Sequence, residues 1–131
     1  MSANKIQHLE VVAVDKPGML AEVSGAIAAE GINMEALCAY SWEGNAMFYI
    51  HTTDNAKVKE ALKSKGWRVK EDEVVIVDLE NKPGALSDLS ANLKAKGVNL
   101  MFAYGSTCGG NCACRIILKA EDNEKIIKAL A

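Results

Sequence analysis

Aromatic residues are scarce in this 131-residue chain, at only 5%, so its core has to be built from Val, Ile, Leu, Ala and Met. It also lacks an excess of either charge. Lys and Arg are spread along the sequence and the formal net charge is −2, which leaves no basic patch for nucleic acid and no polybasic membrane anchor. No apolar run approaches the length of a membrane span, and residues 1–8 hold no run of signal-peptide length. The expectation is a cytoplasmic protein that binds neither nucleic acid nor membrane. There are two histidines, His8 and His51, and neither has a nucleophile beside it in sequence, so a catalytic triad is not expected. No glycine loop of P-loop or Rossmann spacing occurs, and no cofactor is expected. The reading is therefore not an enzyme. The chain has two prolines, and both stand in one short motif that occurs twice.

That motif reveals the architecture. Lys16-Pro17-Gly18 recurs 66 residues later as Lys82-Pro83-Gly84. At this offset, eight of the 20 positions in residues 15–34 match residues 81–100, where chance would give roughly one or two. Most mismatches keep their chemistry, as in Asp15/Asn81, Val23/Leu89 and Ile27/Leu93. The match resumes with a two-residue shift, pairing Asp54-Asn55 with Asp122-Asn123 and Val58 with Ile126.

One repeat reads as β-α-β-β-α-β. Residues 9–14 are β-branched and apolar, the pattern of a buried strand. Pro17 suits a first helical position, with Asp15 just ahead of it. Leu20, Val23 and Ile27 then share a helical face, and Gly31 ends the helix in the left-handed cap position. Residues 34–42 and 46–52 form a hairpin around Glu43-Gly44-Asn45. Asp54 caps a second helix that Gly66 ends, and residues 67–70 make a short last strand. The order is ferredoxin-like. The fold class expected is α+β, with two tandem antiparallel modules at residues 1–71 and 72–131. Glu71-Asp72-Glu73 reads as a solvated linker between them. The second module has no last strand, so strand 74–79 lacks an edge neighbour. Residues 3–7, the linker or a shifted strand 67–70, or another subunit could cover it, or Asp78 and Glu80 could protect a bare edge; a homodimer or a partner protein is expected.

The preserved residues surround a strand-to-helix turn and the end of the same helix. A helix start carries unpaired amides and partial positive charge. Here the amides are those of Gly18, Met19 and Leu20, and of Gly84, Ala85 and Leu86. They suit a carboxylate. Asp15 and Asn81 could accept from an ammonium, and Asn33 and Asn99 bring amides toward the second strands. Gripping both a carboxylate and an ammonium describes an α-amino acid.

Asp-Lys-Pro-Gly-Met-Leu and Asn-Lys-Pro-Gly-Ala-Leu, each followed by Gly-Ile-Asn-Met or Gly-Val-Asn-Leu, resemble the D/N-x-P-G-x-L and G-[IV]-N-[IL] motifs of ACT domains. The resemblance covers nearly the whole chain as two successive modules. It implies ferredoxin-like regulatory modules that usually bind amino acids between first helices and neighbouring second strands. Asp15, Asn33, Asn81 and Asn99 fall where family members contact ligand. The chain departs from the family in its missing last strand and in having no attached catalytic or DNA-binding domain. The function implied is a sensor, or a regulatory subunit of a metabolic enzyme.

An alternative rests on Cys108, Cys112 and Cys114 around a Gly-Gly-Asn tip, where Cys108 and Cys112 would face each other. Their spacing is not that of common zinc sites and no His lies nearby, so small packed thiols are expected rather than metal or redox chemistry.

Overall fold

The computed structural model describes residues 2–107, 109 and 112–131. Among these, six antiparallel strands and four helices follow the order β1 (Ser2–Val14), α1 (Met19–Ala29), β2 (Met34–Trp42), β3 (Asn45–Thr52), α2 (Asn55–Lys63), β4 (Arg68–Leu79), α3 (Ala85–Ala95), β5 (Leu100–Ser106), β6 (Cys114–Ala120) and α4 (Asn123–Ala129). They form two compact units, one of residues 7–72 and one of residues 2–6 with 73–131.

In the first unit the strand order is β2-β3-β1-β4. Leu9 stands opposite Ile50 and Val14 opposite Asn45 in the β1–β3 ladder. The β2–β3 turn is Glu43-Gly44, both at positive φ, 49° and 80°. That left-handed pair matches the twist of the flanking strands. Leu9, Val11 and Ala13 alternate into a core with Val23, Ile27, Phe48, Ile50, Val58 and Leu62, the period-two pattern of a strand with one face covered by helices.

The second unit has the order β1-β4-β6-β5. Its core repeats the first nearly residue for residue: Val75, Val77 and Leu79 from β4, Leu89 and Leu93 from α3, and Ile126 from α4. Residues 2–6 occupy the position next to β4. Ala3 packs on this core, the Ser2 hydroxyl donates to Asp78 Oδ2 at 3.5 Å, and Lys5 pairs with Glu124. Of the coverings considered for strand 74–79, this is the N-terminal extension.

Three expectations are corrected. Glu71-Asp72-Glu73 is not a linker: it lies inside β4, a continuous 12-residue strand. Pro17 does not open α1. The helix begins at Met19 after Gly18 in a left-handed conformation, and its buried positions are Met19, Val23 and Ile27. Leu20 is 49% exposed, and its repeat partner Leu86 is 52% exposed. The buried stripe runs i, i+4, i+8 through Met19, Val23 and Ile27, and Leu20, one residue or about 100° round the helix from Met19, falls on its exposed side.

Candidate functional site

Gly18 and Gly84 hold φ of 91° and 87° as the residues that cap α1 and α3. A Cβ at either would meet nothing within 4 Å, so the demand for glycine is conformational and not steric. Neither helix start receives a side-chain cap. The second helices differ. Asp54 Oδ1 accepts from the Lys57 amide at 3.2 Å and Asp122 Oδ1 from the Glu124 amide at 3.0 Å. In the first helix of each unit the capping glycine brings no side-chain acceptor of its own to the first-turn amides, and a helix start of this kind favours an anion. The two turns are not identical: the Ala85 amide is spent on the Lys82 carbonyl at 3.3 Å.

The turn of the first unit is anchored by the Asp15 amide, which donates to the Gly44 carbonyl at 2.9 Å. Asp15 itself is exposed. Beside this turn lies a cavity of about 470 Å³, lined by Val14, Lys16, Met19, Asn45, Trp67 and Arg68 among others. It offers two cations, an amide and an apolar wall next to a helix start. Met19 is buried at 4% exposure, so its side chain is core and a ligand could use only its backbone.

Asn33 lies elsewhere. Its carbonyl accepts from the Thr53 amide at 3.2 Å, at the opposite end of β3 from Gly44. An 11-residue helix is roughly 16 Å long, and it separates Asn33 from Asp15, Gly18 and Leu20. In the second unit Asn99 is likewise at the far end of α3 from Asn81, Gly84, Ala85 and Leu86. Asn99 lines a groove of about 640 Å³ with Gly97, Met101, Asp122 and Lys125. Within each unit, the residues read as one site thus form two groups, too far apart for one amino acid to bridge. Sequence reasoning used Lys16 only as part of the repeated Lys-Pro-Gly motif and did not single out Arg68 or Lys125. Arg68 comes to the first cavity from the start of β4 and Lys125 to the second groove from α4, and no local motif marks either.

Of the cysteine cluster, Cys108 lies outside the described residues; Cys112 is disulfide-bonded, so the expectation of packed thiols does not hold there. Cys114 and Cys38 are free thiols, and burial pushes the Cys38 thiol upward.

Residues 8–64 match the family model of the ACT domain. This segment is similar to an ACT domain. It spans β1 to α2, including the Gly18 turn and Asn33. A crystal structure of a protein from Bacteroides thetaiotaomicron is similar to the whole chain, at 28% identity and a TM-score of 0.88, over 98% of this chain and 88% of that one. The ligand-free regulatory subunit of aspartate kinase from Thermus thermophilus shares the fold, at 17% identity and a TM-score of 0.68, over 95% and 89% of the two chains. So do the aspartokinase alpha and beta subunits, at 18% identity and 0.65, over 99% and 95%. No curated protein matches the chain. Among the described residues no helix is long and apolar enough to cross a membrane.

Proposed function

We propose that this chain is a non-catalytic regulatory protein of two ACT-like modules, residues 1–71 and 72–131 in sequence with residues 2–6 packed into the second, which senses an amino acid. The observation that carries this reading is the duplicated helix start, glycine-capped and without a side-chain cap, set in the first unit beside a cavity with Lys16 and Arg68. A ligand carboxylate sits against the first-turn amides and these two cations, and Asp15 accepts from the ammonium. In the second unit Asn81, Gly84 and Leu86 take the same parts. Asn33 and Asn99, at the far helix ends, take no part in this contact. Occupancy orders the turn, and a homodimer partner or a metabolic enzyme reads the change. That solved proteins of this fold include regulatory subunits of aspartate kinase supports an enzyme as the reader.

The test is a thermal-shift screen of the twenty amino acids, followed by calorimetry on any hit. A ligand at 100 times its dissociation constant adds about 2.7 kcal/mol of stability. No shift with any amino acid at millimolar concentration would exclude this ligand class.

A further inference from the structure

His8, Glu10 and Asp72 each bring one potential ligand atom into a cluster in which these atoms lie within 4.8 Å of one another. The three come together through the sheet. His8 and Glu10 alternate on β1, with Leu9 and Val11 turned the other way into the core. Asp72 comes from β4, the neighbouring strand in the same unit. His8 is fully buried, with its ring stacked on Tyr49 at 5.1 Å between centroids and 24° between planes. The aromatic partner holds the imidazole plane. Glu10 Oε2 is buried without a hydrogen bond, and the Lys70 ammonium stands 3.3 Å from it as an ion pair.

The duplicated fold supplies its own control. At the repeat offset, His8 corresponds to Val74 and Glu10 to Ile76. Val74 is as fully buried as His8. The scaffold therefore accepts aliphatic residues at these positions, and the polar set is not required by the fold. Burying an imidazole beside two carboxylates is costly unless they are paired or coordinate a metal. The Lys70 side chain that faces Glu10 is 74% exposed, so solvent weakens its compensation of that carboxylate. A divalent cation would neutralise both carboxylates, and a neutral imidazole would complete a mixed nitrogen and oxygen set.

We propose that His8, Glu10 and Asp72 form a binding site for a divalent transition metal of the zinc class. One imidazole and two carboxylates suit such an ion, and three protein ligands leave a position for water or another donor. The Lys70 ammonium moves aside when the metal enters. This site is distinct from the helix-start cavity and does not depend on the amino-acid reading.

The experiment titrates protein dialysed against EDTA with Zn²⁺ by calorimetry and with Co²⁺ by absorption spectroscopy. The thiols are first blocked with N-ethylmaleimide, to remove any contribution from the cysteines. One equivalent of each metal is expected to bind, with Co²⁺ showing d–d bands and no sulfur charge transfer. Glu10→Gln and Asp72→Asn, which keep side-chain shape, should each weaken binding by at least about tenfold, with circular dichroism showing an intact fold. Lys70→Met should tighten it by removing the competing cation. No binding by the thiol-blocked wild type, unchanged affinity in both carboxylate variants, or weaker binding in Lys70→Met would overturn the proposal.

Discussion

Asn55 and Asn123 make the same two hydrogen bonds, one in each unit. Asn55 Oδ1 accepts from the Thr52 amide at 3.0 Å and its Nδ2 donates to the Gln7 carbonyl at 2.8 Å. Asn123 Oδ1 accepts from the Ala120 amide at 3.0 Å and its Nδ2 donates to the Glu73 carbonyl at 2.8 Å. Each ties the start of a second helix to the first strand of its unit. Both amides satisfy backbone groups that would otherwise be left open, so Asn55→Ala and Asn123→Ala should each cost about 1–3 kcal/mol in urea unfolding. The cost should be larger at Asn123, which is only 5% exposed. Equal wild-type stability in both variants would contradict the clamp.

Gly18→Ala and Gly84→Ala should each destabilise by about 1–2 kcal/mol, the penalty of a left-handed L-residue. The L-residue's Cβ meets nothing at either position, so the penalty is conformational, and a D-alanine introduced by semisynthesis, for which positive φ is favourable, should recover most of that loss. Thermal unfolding of the pair of variants decides it; a D-alanine as harmful as L-alanine would point to a steric cause.

Ligand affinity should separate the two ends of α1. Once the screen supplies an amino acid, Lys16→Met and Arg68→Met should weaken its binding to the first unit about tenfold. Asp15→Ala should matter more than Glu22→Ala, because Glu22 lies further along the helix and pairs with Lys16. Calorimetry showing one affinity for all four proteins and the wild type would remove the cavity from consideration.

Tyr49 should resist ionisation. Burial first, and then its hydrogen bond to Tyr40 at 3.2 Å, raise its phenol well above the ordinary value of 10.0. A folded-state pKa raised in this way leaves its stabilisation intact below pH 10. Above that the unfolded chain ionises first, and stability falls with rising pH until the folded phenol also titrates. Chemical unfolding between pH 9 and 11 should show the loss, and Tyr49→Phe should flatten it. An equally steep fall in Tyr49→Phe would assign the effect to other groups.

Removing residues 2–6 should destabilise the second unit through loss of its fourth strand, by more than about 2 kcal/mol. Hydrogen exchange should quicken at Val75 and Val77, which are fully buried in the intact chain. Unchanged exchange there would mean that β4 does not need this neighbour.

Much of the architecture was legible in the chain itself. The 66-residue repeat, the alternation of Leu9, Val11 and Ala13, the Asp54 cap and the glycine stops are local signals, because helix ends and strand faces are set by residues a few positions apart. Leu20 shows the limit even there: positions 19 and 20 both lie near the face of Val23 and Ile27, and packing buries Met19 and leaves the repeated leucine at the surface. Asp72 shows a second limit. An acidic triplet has the look of a linker until a strand on either side of it continues through.

The sequence by itself determined that one segment recurs 66 residues on and where its repeated turns lie. Only the tertiary structure decided that residues 2–6 serve the second unit, that Asp15 and Asn33 stand at opposite ends of α1, and that His8 and Glu10 meet Asp72. The physical reason is strand pairing. It joins segments some sixty residues apart in the chain, and its register follows from burying all the alternating apolar positions together, which no local motif records.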